Sequence, residues 1–583
     1  MKSIQEIKEL KEWLVNDHHA NRVREQLIDR DYIEDKFKLP HIKEPYAEVK
    51  LGTAFRMVNT PANHIITSNP QVYVEAISPS EKARERQQKR GSLLNHWADM
   101  LTRQNPQPYK ESVKNALQRG EGWIHIVNNS AYREETLFKE TLPVVFAVPD
   151  PLIIYASPNE RNGVPEEVIV YYQRDYKTVM NRYEHWPNPK NRNGSNKFVS
   201  WFEYWSADMR YFEADEEPVT GYSKSKKRYS DGQEINILSF VPFVHFYSGY
   251  GKAGPEGKPE DLAVSRIRFN RGLIMEKAEV RSSISSQLKL HAVTRVDVEE
   301  TEAHQGDPEF TYSLDAGAMN LIPKGYRVNE HLGSEPGSQV FQHAYNINSE
   351  IEMDSPPILS GITTGSSGRQ DDIAVKQGIA QFESVVDNVG IAWSTAFKMG
   401  LHVLKSVPGL LPVTVRALKP SDGVKKLVTV EAEDIDDTEC EVMLKAKDPI
   451  EDKAMALQGN REQQSGIIDW ETNLTKYHGF TSDEARDIMN KAMVDKMILS
   501  NPILQNAIAI KAMKDLGMEQ YLQIAGGQPG QPQPGQPQGA VPGQPGPFGG
   551  EPREGNIEND AMYAEADNLL QGYKVRNPPN VMV

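Results

Sequence analysis

One apolar stripe constrains the fold of this chain more than any other feature. Eight steps carry it across 29 residues, or 29/8 = 3.63 residues per step, which is the period of a straight α-helix. We therefore predict one helix over about 371–405, roughly 50 Å long at ~1.5 Å per residue. An ordinary core helix would show the same stripe, but this length exceeds what a small domain needs. The stripe consists of Val375, Ile379, Phe382, Val386, Val389, Trp393, Phe397, Leu401 and Leu404.

A segment unsuited to a packed core comes directly before this helix. It reads "SPPILSGITTGSSGRQ" and is rich in Gly, Ser and Thr. Pro356 and Pro357 stiffen its beginning, whereas Gly361, Gly365 and Gly368 remove backbone restraint. We expect a mobile loop, and such loops at the end of a rigid element often carry function.

Length and charge limit the classes of function. A chain of 583 residues is long enough for several folding units. Its formal net charge of −15 argues against gripping nucleic acid over a broad basic face, but it allows DNA to slide past. The single cysteine excludes a disulfide framework within the chain, as expected in a reducing compartment. No apolar run approaches the ~18 residues of a membrane span, and "MKSIQEIKEL" lacks a secretion signal, so we expect a soluble protein made in a cytosol.

Periodicity along the chain alternates between helix and strand. An apolar stripe from Leu51 and Phe55 to Ile65 predicts a helix over 46–66, and Leu94, Trp97 and Leu101 predict another over 80–104. Short apolar runs cut by Pro, Gly and Asn predict mixed sheets between 121 and 250. Helices return at 261–290, which carries six basic residues on two faces, as an exposed or subunit-facing helix would. Further helices are predicted over 338–353 and 449–525.

The composition changes sharply after residue 525. Positions 526–555 hold ten Gly and eight Pro, without a glycine at every third position. This pattern is typical of a disordered, semi-extended tether rather than collagen. We therefore expect the segment 526–583 to be dispensable for the assembly of the folded part.

No motif in the chain supports catalysis. The glycine-rich stretch 249–258 lacks the spacing of a phosphate-binding loop, and "GITTG" follows prolines rather than a strand. The acidic run "DIDDTECE" lacks the glycine and alternation of a calcium loop. The fourteen histidines show no metal-ligand spacing, so we expect solvated side chains. We predict no enzyme, no metal and no cofactor.

Several stretches resemble one family, the portal proteins of tailed bacteriophages, which are head-to-tail connectors. "QRGEGWIHIVNN" resembles the family's segment in which a helix runs through Gly into a strand, and "VPDPLIIYASP" resembles its following strand and turn. "VSWFEYWSAD" resembles its Glu-and-aromatic strand, and "LSGITTGSSGRQDDIAVKQGIAQFE" resembles its loop entering a long helix. The resemblance covers roughly 46–525. It lies in the order of the elements and in the kinds of residue within them, since portal sequences share no short invariant motif.

The resemblance implies an α+β subunit of a closed ring, usually of twelve copies, with a mixed α/β wing, a two-helix stem, a small α/β clip and a helical crown. The implied segments are the first part of the wing (1–260), a stem helix (261–290), the clip (291–337), a second stem helix (338–353), the tunnel loop (354–370), the long helix and rest of the wing (371–447), the crown (448–525) and a disordered tether and tail (526–583).

The resemblance also implies functional residues and partners. Double-stranded DNA would pass through the ring during packaging and ejection, beside a tunnel loop formed by Gly361, Thr363, Thr364, Gly365, Ser366, Ser367, Gly368, Arg369 and Gln370. The clip would face the large terminase and later the tail adaptor through Asp297, Glu299, Glu300 and Glu302. Further partners would be the major capsid and scaffolding proteins, with no membrane. The protein would be assembled in the bacterial cytoplasm and would reside at the portal vertex of the virion.

Two alternatives remain open. Another oligomeric virion protein of the neck or baseplate would share the acidic, cysteine-poor composition, but it would not need a loop followed by a long helix. An enzyme with a scattered site is also conceivable, although the sequence shows no nucleophile with a base and an orienting group.

Overall fold

The structure is a computed structural model of a chain that divides into two compact units, Met1–Val494 and Asp495–Val583. All helices and strands below lie within its described residues. These are 2–40, 48–65, 70–78, 80–128, 143–190, 197–220, 222–223, 228–229, 232–292, 295–300, 326–331, 337–354, 377–418, 425–444, 449–478 and 482–500.

The α-helices vary from single turns to the 27 residues of the longest. Two π-helical turns, Leu14–His18 and Asn473–Tyr477, and two 3₁₀ turns, Pro151–Ile153 and Ala432–Asp434, accompany them. The helices are α1 (Ile4–Trp13), α2 (Ala20–Ile33), α3 (Thr53–Ile65), α4 (Glu81–Thr102), α5 (Pro108–Arg119), α6 (Tyr176–Arg182), α7 (Pro259–Leu262), α8 (Arg266–Ala292), α9 (Ser338–Asp354), α10 (Glu383–Ser406), α11 (Pro449–Gln464), α12 (Trp470–Thr472) and α13 (Ser482–Ser500).

The strands pair antiparallel throughout the described part of the chain. Helices and strands together confirm an α+β fold. The strands are β1 (Gln71–Tyr73), β2 (Glu121–Asn128), β3 (Val144–Ala147), β4 (Ile154–Ala156), β5 (Glu160–Arg161), β6 (Val164–Pro165), β7 (Glu167–Asp175), β8 (Phe198–Ser206), β9 (Met209–Ala214), β10 (Glu217–Pro218), β11 (Tyr222–Ser223), β12 (Arg228–Tyr229), β13 (Gln233–Ile235), β14 (Phe243–Tyr247), β15 (Arg295–Glu300), β16 (Tyr326–His331), β17 (Val413–Leu418), β18 (Lys425–Val430) and β19 (Glu441–Met443).

The six-stranded sheet has the order β10-β9-β8-β7-β4, with β13 also paired to β9. Successive side chains of a strand point to opposite faces of the sheet, and β7, β8 and β9 carry apolar side chains on both faces. Ile7 of α1 and Leu14 pack on one face, against Phe202 and Tyr211. The other face packs against Trp123 and Phe243 of a three-stranded sheet with the order β14-β2-β3. The runs predicted as strands between 121 and 250 are therefore confirmed, but the described strands form antiparallel sheets rather than the predicted mixed sheets.

The main core surrounds α10. Trp393 and Phe397 contact Phe146 of β3, and Trp97 of α4 packs edge-on against Phe397. Leu94, Trp97 and Leu101 are buried in the same core, as their spacing predicts. Gly400 permits this close packing, because a Cβ there would lie 2.9 Å from the Phe146 ring.

The prediction of one uninterrupted helix over 371–405 is wrong at residues 381–382, and its first part, 371–376, lies outside the described residues. The helix α10 contains 24 residues, or roughly 36 Å at ~1.5 Å each. Helical residues 377–380 precede it, but a turn at 381–382 separates the two segments, with Phe382 at φ −106° and ψ 8°. The Cζ atom of Arg266 lies 4.4 Å from the centroid of the buried Phe382 ring, and this tertiary contact stabilises the turn that interrupts the helix. The apolar stripe is buried from Phe382 onward, except for the half-buried Val386; Val375 lies outside the described residues.

The prediction for 46–66 also needs correction. The helix α3 begins only at Thr53, and Leu51 and Phe55 are exposed rather than buried. Gly52 takes a left-handed φ of +60°, and its N–H donates to Asp35, so the backbone at Gly52 is non-helical. Met57, Pro61 and their neighbours form the buried side instead.

Candidate functional site

The helices α8 and α9 form an antiparallel pair. Two contacts fix their direction: the Nε2 atom of His343 lies 3.0 Å from Glu276, and Gln381 joins the end of α9 to the start of α8. The two-stranded ribbon β15–β16 lies between them in sequence. The predicted helix at 338–353 is thus confirmed as a helix, and that at 261–290 is confirmed from Arg266 onward, since the non-helical residues 263–265 separate α8 from α7. The role of the two helices as a stem stays a prediction.

The helix α9 has two apolar sides, and the described residues cover only one. Ile347 and Ile351 are 3% and 5% exposed on the first side. Roughly opposite on the helical wheel, Tyr345 and Met353 are 72% and 70% exposed, and Phe341 is also exposed. Large apolar side chains aligned on an uncovered helix face mark an interaction surface. We call Phe341, Tyr345 and Met353 the outer face of α9.

Hydrogen bonds and ion pairs join the N-terminal end of α8 to α2. The guanidinium of Arg271 donates to Glu25 (2.6 Å) and Asp29 (2.8 Å) of α2, and the Ser265 hydroxyl donates to Asp29 at 2.7 Å. Burial raises the pKa of Asp29, and the Arg271 charge and the Ser265 hydrogen bond offset only part of this. Arg268 donates to two backbone carbonyls nearby. Several basic residues of this helix therefore serve the subunit's own fold rather than a neighbour.

A second buried charge cluster holds the other end of α2. Arg22 bonds to Glu121 at the start of β2, and the amide of Gln26 donates to the same carboxylate at 2.8 Å. His245 of β14 lies between Glu121 and Glu160, with 2.9 Å from each ring nitrogen to a carboxylate oxygen. The His245 ring also stacks on the Trp123 indole, with centroids 4.1 Å apart.

The charges in this cluster stabilise one another. Burial alone would raise the pKa of Glu121, but Arg22 and His245 outweigh it and lower that pKa to about 2. Burial alone would likewise lower the pKa of His245, but Glu160 and Glu121 raise it to about 9. His245 is therefore a charged, buried residue at neutral pH, and the expectation of solvated histidines is wrong for it. It is also wrong for His19, which is buried with its Nε2 atom 2.8 Å from the Ala156 carbonyl.

Sequence reasoning missed these clusters because no short motif links their members. Glu121, Glu160 and His245 lie on three strands that are far apart in sequence. One signal was available: Arg22, Gln26 and Asp29 repeat at i, i+4 and i+7, and they form the buried side of α2. A polar stripe with helical spacing can therefore mark the buried side of a helix, as an apolar stripe does.

The predicted site residues divide between described and undescribed parts of the chain. Asp297, Glu299 and Glu300 lie on β15, whose register places Asp297 opposite Asn329 and Glu299 opposite Arg327. Glu302 lies outside the described residues, as does every predicted tunnel-loop residue from Gly361 to Gln370.

Described residues on the two sides of the undescribed segment 355–376 are in contact. The Gln381 amide donates to the Met353 carbonyl at 3.3 Å and accepts from Arg266 at 3.2 Å. Arg266 at the start of α8 also lies over the Phe382 ring, so Arg266 and Gln381 together connect the start of α8, the end of α9 and the turn before α10. The described residues on either side of 355–376 thus meet at the base of the helix pair.

Within the described ranges, no group of three or more His, Cys, Asp or Glu side chains could hold a metal ion. A search of the same residues found no helix that is both long and apolar enough to cross a membrane.

No protein-family model matches the chain, and no curated protein shows significant similarity to it. Among solved structures, a chain from the neck of an empty GTA particle, computed with C6 symmetry, is 12% identical with a TM-score of 0.39; the match covers 74% of this chain and 91% of that one. A chain from the neck of a native GTA particle, computed with C12 symmetry, is 11% identical with the same TM-score of 0.39, over 78% of this chain and 93% of that one. Likeness at this level carries no functional argument.

Proposed function

We propose that this chain is the subunit of a closed homo-oligomeric ring, a portal-like connector at one vertex of a phage-like capsid. Double-stranded DNA passes through the ring during packaging and ejection. The outer face of α9 carries this proposal, because the described residues leave its apolar side chains uncovered opposite an already packed side, and another copy of the chain would cover them. The order of elements, with two antiparallel helices joined through a β-ribbon and followed by a loop and α10, supports the portal type in particular.

The contact between copies is of the head-to-tail type. The outer face of α9 in one copy packs against α8 of the next, where Phe269 is exposed on the side away from Ile274. Two different patches on one subunit make a heterologous contact, and such contacts close into rings when the rotation allows. Twelve copies is the number that the family resemblance favours.

The acidic balance suits a channel. A wall that repels phosphate lets a duplex slide, whereas a basic wall holds it by counterion release. In this proposal the segment 354–370 faces the duplex, with Arg369 and Gln370 making light contacts. The ribbon β15–β16, with Asp297, Glu299 and Glu300, faces the terminase and later the tail adaptor.

Native mass spectrometry and electron microscopy of the full-length protein test the ring. We expect a single closed oligomer with an axial hole, and its loss in the double variant Phe341→Ser/Tyr345→Ser. The matched control, Glu350→Ser, removes an exposed polar side chain from the same helix, about 60° beyond the edge of the outer face on the helical wheel, and should leave the ring intact. Monomer at micromolar concentration in the unmodified protein, or full assembly of the double variant, would contradict the proposal.

A deletion of residues 363–368 separates a portal from another neck or baseplate ring. Rings should form at normal size and thermal stability, because the deletion leaves the contact between α8 and α9 of adjacent copies in place. Particles built with these rings should package poorly or leak DNA. Particles that fill and retain DNA like the parent would exclude the tunnel-loop role and favour a different ring of the neck.

A further inference from the structure

The helix α2 connects two parts of the subunit through its buried polar side. Arg22 and Gln26 reach the sheet formed by β14, β2 and β3, whereas Asp29 reaches the base of α8. Surface helices ordinarily bury an apolar stripe, which tolerates small sliding movements. A charged stripe has discrete partners, so its contacts are either made or broken.

The two clusters lie on one stiff element. Seven residues separate Arg22 from Asp29, which is roughly 10 Å along a helix at ~1.5 Å per residue. No hinge lies between them, since Ala20–Ile33 is a continuous α-helix. A shift of α2 large enough to break the bond between Arg22 and Glu121 therefore also displaces Asp29 from Ser265 and Arg271.

Both clusters penalise partial release. Glu121 and Asp29 are almost fully buried, so a shift of α2 would leave Glu121 with His245 as its remaining positive partner and would separate Asp29 from Arg271 and Ser265. Unpaired buried charge is among the costliest defects in a protein interior. Intermediate positions of α2 are therefore disfavoured relative to the state in which both ends are bound.

We propose that α2 is a coupling helix, which links the stability of the first turns of α8 to the integrity of the sheet at Glu121 and His245. Coupling between two sites is reciprocal, so a change at α8 must equally affect the sheet. The inference concerns contacts within one subunit and holds whether or not the ring proposed above exists. Its use in such a ring would be to make the sheet responsive to the state of the helix pair.

Hydrogen exchange of the full-length protein, followed by mass spectrometry, tests this coupling in both directions. In Glu121→Gln we expect amides of residues 266–274 to exchange about fivefold or more faster, although none of them contacts Glu121. In Asp29→Asn we expect a comparable increase in residues 121–128. The milder variant Gln26→Leu provides a second measurement at the sheet end if Glu121→Gln fails to fold.

The control is Val199→Ala on β8, which opens a small cavity in the six-stranded sheet at a position remote from α2. It should accelerate exchange near its own strand and leave residues 266–274 unchanged. Acceleration confined to residues around 121 in Glu121→Gln, or the same pattern in Glu121→Gln and Val199→Ala, would overturn the proposal. Comparing all variants in the same oligomeric state keeps this outcome separate from the test of the ring.

Discussion

The helices α2 and α9 depart from ordinary amphipathic design in opposite ways. The helix α2 buries a polar stripe that includes the charged Arg22 and Asp29, whereas α9 exposes an apolar one at Phe341, Tyr345 and Met353. Every charge on the buried stripe of α2 has a partner within the same subunit. The apolar stripe of α9 has none among the residues that the structure describes.

This difference shows that the pattern of side chains on a helix can indicate either contacts within the subunit or contacts with a partner. A buried charged stripe is explained by the subunit's own fold, because its partners Glu121, Ser265 and Arg271 are supplied by other elements of the chain. The exposed apolar stripe of α9 has no such explanation among the residues that the structure describes, and in the proposal made above another copy of the chain covers it. Substitutions on α2 should therefore affect folding, and substitutions on α9 should affect assembly.

The largest expected effect on folding comes from Arg22→Met. Glu121 would keep its bonds to His245 and Gln26 but lose its strongest positive partner in a buried site. Breaking a buried pair by removing one partner costs about 3–5 kcal/mol. We expect a corresponding fall in the free energy of unfolding in urea, followed by tryptophan fluorescence.

Arg24→Met is the matched control for this variant, since Arg24 lies on the exposed side of α2. Its effect should stay within about 0.5 kcal/mol. Equal unfolding midpoints for the two variants would show that the buried cluster adds nothing to folding, and the contrast with α9 would then fail.

A somewhat smaller change in the free energy of unfolding is expected when the pH is raised. The folded state raises the pKa of His245 from an ordinary 6.5 to about 9, so its charged form stabilises the fold. This contribution is complete below about pH 6.5 and is lost as the pH rises through about 9; a pKa difference of about 2.5 corresponds to roughly 3 kcal/mol. Stability in urea should therefore fall between pH 6.5 and pH 9.5.

The variant His245→Gln sharpens this measurement, because glutamine does not titrate. It should be less stable at pH 6.5 and nearly independent of pH up to 9. Glu121 and Glu160 contact the ring, and because their pKa values are lowered they stay charged over this range, while burial raises the pKa of the neighbouring Tyr247 above its ordinary value. A parallel fall in stability in both proteins would place the titrating group elsewhere.

The smallest effect on folding should come from Tyr345→Ser on α9. Because Tyr345 is mostly exposed in the subunit, its removal should change the free energy of unfolding of dissociated subunits by less than about 0.5 kcal/mol. The same change should raise the concentration needed for assembly, measured by mass photometry. A clear loss of stability in dissociated subunits, with assembly unchanged, would mean that the outer face belongs to the fold.

The sequence predicted helices and strands well where an apolar repeat determines the secondary structure. The stripe from Phe382 to Leu404, the helices that became α8 and α9, and the runs that became β7 and β8 all follow a repeat that burial enforces. The sequence failed where single contacts override a repeat. The Arg266–Phe382 contact accompanies a turn inside a predicted helix, and Gly52 ends the run that would have buried Leu51.

The buried clusters could not be predicted for a different reason. Their members come from five elements, and a charged residue gives no sign in sequence of whether water or another charge will surround it. The exposed face of α9 could be anticipated only in part, because its period matches that of a core helix. Coordinates were needed to show which of the two apolar sides the subunit covers.

The lone thiol has a practical consequence for labelling this protein. Cys440 is half-buried, its Sγ atom lies 3.6 Å from the Ser394 carbonyl, and burial, with the nearby Glu439, raises its pKa to about 12. A thiol in that state stays protonated at neutral pH and reacts slowly with maleimides. Cysteine-directed dyes should therefore label the native chain only slowly. A fluorophore or spin label attached through Gln342→Cys on α9 would then report from one known position.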